Sequence, residues 1–356
     1  MVTSTQTREA LAPQTAQKSH PQSQQQVTPM RLIQMGWAFV MPIAIESAVR
    51  TRIFDVLDEH PKTIAQVCQE TACSARGVEP LVNFLVAVEL LNKSEDGFYS
   101  LTRESSAFLV STKPSFHGGF ICHLTADLIP KFLELEHVVR TGHPARSVNR
   151  QTEATAFFKN FVEDLMPLNF PAARMLAQHL ASTRKTETTK ILDIAAGSGV
   201  WGIAAAQAFA SATLSAVDFP EVLEVTRSVV SRFGLEGRFQ GIAGDALSVD
   251  LGRDYSIATL GHILHSEGEE RSRALLSRVY EALALDGTIA IAEFVLNEDR
   301  TSPPVAAYFN LNMAVNTENG RAFTNSELQH WLEEAGFRNV CTLDVPGPSP
   351  LVLADK

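Results

Sequence analysis

From Met30 to Val110 the apolar positions recur at helical spacing. In IAIESAVRTRIFDVLDE (Ile43 to Glu59) the residues Ile43, Ala48, Ile53, Val56 and Leu57 fall near one face, which predicts an amphipathic helix. A Pro-Lys breaker precedes TIAQVCQETA, a second helix starting at Thr63, and GVEPLVNFLVAVELL reads as a third. NKSEDGFYSLT then gives two short β-type runs about a Glu-Asp-Gly turn. Helices followed by a small hairpin describe a winged helix. Its third helix carries Leu81, Val82, Phe84, Leu85 and Val88 where a DNA reader would carry Arg, Asn or Gln, so burial in a dimer or against the next domain is expected.

From His117 to about Leu180 the chain is helical and rich in large apolar residues, and a polar linker, ASTRKTETTK, follows. There the pattern changes. KILDIAAG, ATLSAVDFP, RFQGIAGDA, YSIATLGHI and GTIAIAEFVL are β-type runs separated by amphipathic helical stretches. Strand alternating with helix predicts an α/β fold with a parallel, doubly wound sheet, whose ligands bind at the carboxyl ends of the strands.

Composition narrows the class. The chain has 356 residues, 45% hydrophobic and 20% charged, enough for two domains with their own cores. A formal net charge of −10 and the lack of a basic stripe argue against a nucleic-acid partner. The N-terminus lacks the apolar core of a signal peptide, and no uninterrupted apolar run approaches the roughly 20 residues that span a bilayer, so a cytoplasmic protein with no membrane partner is expected. Residues 1–27, rich in Gln, Ser and Thr, are expected to form a disordered polar leader. Cys68, Cys73, Cys122 and Cys341 lack metal-ligand spacing and read as buried reduced thiols, and no metal site is expected.

The strand ends carry the chemistry. DIAAGSGVWG (Asp193 to Gly202) contains G-x-G-x-x-G after an apolar run, which taken alone is a weak dinucleotide fingerprint. Asp218 ends the second strand and suits a carboxylate accepting both ribose hydroxyls, and Asp245 in GDA suits an acceptor for an adenine amino group. Asp193 separates the possible cofactors. Its charge would repel a pyrophosphate and attract the amino group and sulfonium of S-adenosylmethionine, so Gly197 and Gly199 are read as allowing close approach of a cofactor without phosphates. Ala195, Phe219 and Ala246 adjoin these positions and complete the expected cofactor set.

The motifs GFYSLT, LDIAAGSG, VDFPEV, GDA, ILHSEGEE, DGTIAIAEFVL and RAFTNSELQHWLEEAGF stand in one order from about residue 30 to the end. In this the chain resembles the S-adenosylmethionine-dependent O-methyltransferases of the caffeate and acetylserotonin type and their natural-product relatives. The resemblance implies a Rossmann-like class I methyltransferase domain (186–356), a helical linker and substrate wall (113–185) and a winged-helix dimerisation domain (28–112) that makes a homodimer. It implies methylation of a hydroxyl on a small aromatic or polyketide-like metabolite. His265 matches the family's general base, with a structural histidine as the alternative, and Glu293 matches the carboxylate that orients it. An imidazole of ordinary pKa near 6.5 can accept a phenolic proton as transfer proceeds. His262 is expected in the strand end or the cofactor wall.

The resemblance also places substrate contacts at His123, Met166, Asn169, Phe309, Asn312 and Met313. For the apolar ones core packing is the competing reading. His123 is equally a satisfied core group or a second acid/base, and Asp299 and Arg300 are either pocket-mouth residues or a solvated loop cap. Three positions depart from the family. Glu267 stands where an aromatic residue follows the base by two, Ala322 where a second carboxylate is usual, and Gly261 where a lysine precedes the base by four. Two rival readings follow from the scaffold: a cofactor-retaining cyclase or C-methyltransferase, and a non-enzymatic winged-helix regulator that senses the cofactor.

Overall fold

A computed structural model describes residues 27–144, 161–184 and 189–356. Residues 1–26 of the expected leader, and part of the polar linker, lie outside the described residues. The chain divides into two compact units, Met1–Met41 and Pro42–Lys356. In the first, helix α1 (Met30–Trp37) buries no residue, and Leu32 and Trp37 are exposed. By length and composition alone the stretch Met30–Arg50 is apolar enough to cross a membrane, a feature the sequence reading did not expect, and a turn at residues 38–39 divides it.

The helix expected over residues 43–59 is two helices, α2 (Val40–Arg50) and α3 (Ile53–Asp58). The hydroxyls of Ser47 and Thr51 bond back to the carbonyls of Ile43 and Ser47, at 2.7 and 2.6 Å, and Arg52 takes a left-handed φ of 60°. Such back-bonding bends helices, and the left-handed residue ends this one. Helix α4 (Ile64–Thr71) starts at Thr63 with a capping box closed by Gln66. Helix α5 (Ala75–Ala87) and the antiparallel hairpin of β1 (Leu91–Lys93) and β2 (Tyr99–Leu101) complete the winged helix. Of its third helix, Leu81, Phe84 and Val88 are only partly buried. Val82 and Leu85 are buried with Phe54, Leu57, Val67 and Tyr99 in the unit's own core.

Short helices α6 (Arg103–Phe108), α7 (Gly118–His123), α8 (Ile129–Phe132) and α9 (Leu135–Thr141) follow, with a π-helical turn at Leu124–Leu128. Helix α10 (Met166–Thr183) lays Ala172, Ala173, Leu176, Ala177 and Leu180 against α11 (Val200–Ala208), itself buried through Ile203, Ala204 and Ala205. The alanines let the two helices meet closely. α11 opens at the end of the first sheet strand, so this packing fixes the glycine loop from behind.

The central sheet has seven strands: β3 (Lys190–Ile194), β4 (Thr213–Asp218), β5 (Phe239–Ala243), β6 (Tyr255–Gly261), β7 (Leu283–Ala292), β10 (Arg338–Leu343) and β11 (Leu351–Asp355). Their order is β10-β11-β7-β6-β3-β4-β5. The five strands read from the sequence run parallel, but β11 is antiparallel to both β7 and β10, so the sheet is mixed rather than wholly parallel. Helices α12 (Pro220–Arg232), α13 (Leu264–Ala282), α14 (Pro304–Asn316) and α15 (Asn325–Ala335) complete the domain. A small parallel pair, β8 (Val295–Leu296) with β9 (Phe323–Thr324), ties the segment after β7 to the start of α15.

Candidate active site

The carboxyl ends of β3, β4, β6 and β7 converge on one edge of the sheet. After β3, Gly197 and Gly199 have φ of 55° and 77°, and a Cβ on Gly199 would come 3.0 Å from Thr226. Only glycine takes this backbone without strain. Asp218, half-buried at the end of β4, accepts from the Gly197 N–H at 2.9 Å and from the Phe219 N–H at 2.7 Å. Burial pushes its carboxyl up to about 6, against the pull of those two donors. Asp245, after β5, accepts from the Leu247 N–H at 2.9 Å, and Ala195 and Ala246 pack on the neighbouring core.

Asp193 is placed differently from its expected role. It is 0% exposed, its Oδ2 accepts from the Gly202 N–H at 3.0 Å, and its Oδ1 accepts from the Thr259 hydroxyl at 2.7 Å. Burial raises its carboxyl to about 7, with the two donors opposing. Both oxygens are thus engaged inside the protein, and the residue fastens the loop to α11 and β6. Gly202 has no room for a side chain, since a Cβ would meet Leu214 at 2.5 Å and Asp193 Oδ2 at 2.8 Å.

At the end of β7, Glu293 is 1% exposed and its Oε2 lies 2.7 Å from Nδ1 of His265, in the first turn of α13. The His265 backbone N–H donates to Oε1 of the same carboxylate at 3.3 Å. Burial alone would raise Glu293, but the charge and hydrogen bonds of His265, aided by His262, outweigh it and hold the carboxyl below its ordinary value. The partner at Nδ1 leaves Nε2 as the ring's other working atom. Phe309 meets the His265 ring edge-on at 4.6 Å and stacks on Phe294 at 3.9 Å. The turn after His265 is held by Gly268, whose φ of 75° breaks α13 and whose missing Cβ lets the Asn319 carbonyl approach to 2.8 Å of that position. The Arg321 N–H in turn donates to the His265 carbonyl at 2.8 Å.

The other expected substrate residues fall into three groups. His123, 9% exposed, has Nδ1 2.9 Å from Asp127 Oδ2 across the π-helical turn and its ring 3.9 Å from Phe161. Burial lowers its pKa, and Lys131 adds to that, against the pull of Asp127. Phe161 is followed by Val162, which lies over Gly197 at 3.3 Å from where a Cβ would stand, so this wall reaches the glycine loop. Met166 packs in the cluster that contains Trp201, and Asn169 is buried in the same helix. On α14, Met313 is buried and Asn312 Oδ1 is bonded by Asn316 Nδ2 at 2.7 Å, so these two are tied into the helix more than Phe309 is. Arg300 pairs with Glu327 at 2.7 Å and Asp299 caps its own turn through Thr301, the loop-cap reading.

One residue here, Trp201, was not singled out from the sequence. Trp201 fills the space over Gly261, where a Cβ would come 2.2 Å from the indole Nε1. That accounts for the missing lysine, since the position has no room for a side chain. His262, half-buried with φ of 61°, is bonded to the Ser349 hydroxyl at 3.0 Å and lies 5.5 Å from Phe294. Burial takes its pKa down to about 4, so it is neutral beside the Glu293–His265 pair. Ala322 is fully buried with Leu296 and Ala306, an apolar site for which a carboxylate would be poorly suited. Three of the cysteines are partly buried, but Cys341 is exposed rather than buried as expected. Among the described residues no group of three or more His, Cys, Asp or Glu could hold a metal ion.

Comparison with known proteins bears on this geometry. The O-methyltransferase domain family matches residues 148–338, and the O-methyltransferase dimerisation domain matches residues 33–111. The chain belongs to the O-methyltransferase family. This O-methyltransferase is 29% identical over 317 residues to the S-adenosyl-L-methionine-dependent methyl transferase PigF of Serratia sp., covering 87% of this chain and 91% of that one. It is 27% identical over 308 residues to 3-hydroxy-5-methyl-1-naphthoate 3-O-methyltransferase of Streptomyces sahachiroi, covering 85% and 88%. The solved structure of PigF with SAH superimposes with a TM-score of 0.81 at 25% identity, covering 93% of this chain and all of that one. Human N-acetylserotonin methyltransferase in complex with SAM shares the fold, with a TM-score of 0.81 at 22% identity, covering 94% and 99%. The protein is therefore an enzyme of O-methyl transfer that uses S-adenosylmethionine, and it carries a dimerisation domain.

Proposed function

We propose that this O-methyltransferase methylates a hydroxyl of a small aromatic or polyketide-like molecule, with His265 as general base and Glu293 as the residue that orients it. The observation that carries the reading is the 2.7 Å contact between His265 Nδ1 and a carboxylate that is 1% exposed. A buried anion at Nδ1 fixes the tautomer, aims Nε2 outward and stabilises the ring as it takes up a proton. Phe309, edge-on to the His265 ring and stacked on Phe294, gives the site an aromatic side suited to an aromatic acceptor. The naphthoate substrate in the name of the Streptomyces relative is of the same chemical class.

The residues fit the cofactor. The left-handed glycine loop beneath Val162 is a cradle that a Cβ would crowd, and half-buried Asp218 presents a carboxylate beside it. In this reading Asp218 takes the ribose hydroxyls, Asp245 the adenine amino group, and Ala195, Gly197, Gly199, Phe219 and Ala246 line the approach. Asp193 acts through the loop it fastens. When bound, S-adenosylmethionine supplies an electrophilic methyl group on a sulfonium. The chain's own part is to hold the acceptor oxygen in line, about 3 Å from the methyl carbon, to exclude water and to remove the proton.

His123, Met166 and Asn169 form the opposite wall in this account, with Phe309, Asn312 and Met313 on the near one. The division into a winged helix over 28–112, a helical wall over 113–185 and a cofactor domain over 186–356 is part of the same proposal. A homodimer is part of it as well, with the exposed apolar residues of α1 as contact candidates. Incubation with methyl-labelled S-adenosylmethionine and a panel of phenols, naphthols and hydroxylated polyketides tests the reading. O-methylated product with one S-adenosylhomocysteine per turnover supports it. Label on carbon, or a rearranged product with the cofactor intact, would count against it.

A further inference from the structure

The chain departs from the family pattern at Glu267, where an aromatic residue is usual, and Glu267 has a charged partner nearby. Beyond the break that Gly268 makes in α13, Arg271 turns back so that its Nε bonds to the Glu267 carboxylate. Its Nη2 lies 3.1 Å from Asp245 Oδ2 and 3.3 Å from Oδ1. A carboxylate offers about four acceptor sites. The Leu247 N–H uses one on Oδ1 and the guanidinium spans both oxygens, which leaves Oδ2 an acceptor site for another donor.

We propose that Arg271 is a positioning residue for the adenine ring. Its guanidinium fixes the Asp245 carboxylate in the orientation that receives the exocyclic amino group, and Glu267 holds the guanidinium in turn. The inference rests on Asp245 being the adenine acceptor. The side chains of Arg271 and Asp245 are 48% and 36% exposed, so the ion pair adds little stability of its own and its effect lies in geometry. Nη2 alone reaches both Asp245 oxygens while Nε holds Glu267, and the single nitrogen of a lysine cannot set donors to two carboxylates at that fixed spacing.

Calorimetric titration of the full chain with S-adenosylhomocysteine, and with its 6-deamino analogue that carries hydrogen at C6, tests this. Arg271→Ala is expected to weaken S-adenosylhomocysteine binding about tenfold, the scale of a hydrogen bond to a charged group, and to leave binding of the analogue nearly unchanged. R271K should behave as R271A does, and it carries the comparison if R271A does not fold. Equal weakening of both ligands would assign Arg271 a merely structural role and overturn the proposal. Unchanged or tighter binding of S-adenosylhomocysteine in the variants would overturn it too, as would a wild-type protein indifferent to the amino group. Because binding alone is read, failure of methyl transfer to any acceptor leaves this result standing and is distinguished from it.

Discussion

Nδ1 of His265 and Oε2 of Glu293 stand 2.7 Å apart although they lie 28 residues apart in the chain, and the same carboxylate also takes the His265 backbone N–H. One buried acid thus sets both the ring and the turn that bears it. Glu293→Gln keeps the shape and removes the charge. We expect kcat to fall by about 10², within the range for a disturbed general base, with the affinity for S-adenosylhomocysteine preserved. Steady-state kinetics beside a binding titration separates the two effects, and an unchanged kcat would remove Glu293 from the account.

Asp193 predicts a pH dependence of stability. Its folded pKa of about 7 lies above the ordinary carboxylate value of 3.8, so between these the folded chain holds a proton that the unfolded chain has lost. Stability from this group is full at low pH and is lost as pH rises towards 7, by about 1.4 kcal/mol per unit at most. Asp193→Asn removes the titrating group while keeping one acceptor for Gly202 or Thr259. Denaturant unfolding at pH 5 and pH 8 should show the variant's deficit against wild type shrinking at the higher pH. A deficit that grows with pH would contradict the buried, neutralised carboxyl.

Gly261→Ala tests whether the space taken from the family lysine is needed by Trp201. A Cβ there would stand 2.2 Å from the indole nitrogen, so the ring must move. Overpacking of this kind costs about 1–3 kcal/mol, and it should weaken cofactor binding because Trp201 opens the helix behind the glycine loop. Restoring the family residue as Gly261→Lys should destabilise further. Wild-type stability and binding in both variants would show the packing to be slack.

Much of this was legible in the sequence because the signals were local. The five parallel strands, the helix start at Thr63 and the hairpin at residues 91–101 each declare themselves within a few residues. The last two strands did not, since β10 and β11 reverse direction only by pairing with β7. The break at Arg52 was masked by a face of apolar residues that continues across it. At the site, the pairing of His265 with Glu293 followed from resemblance, whereas the burial of Asp193 did not follow from its charge. A carboxylate that ends a strand reads alike whether it faces a ligand or, as here, Thr259 and the N–H of Gly202. Trp201 and Arg271 were missed because their roles depend on neighbours 60 and 26 residues away.

The measurement closest to the central claim is single-turnover transfer of labelled methyl to a phenolic acceptor by wild type and His265→Ala, with S-adenosylhomocysteine affinity determined on the same preparations. Loss of the base should slow transfer by about 10² to 10⁴ while the cofactor binds as before. Transfer at the wild-type rate in the variant would contradict the assignment of His265 as the general base.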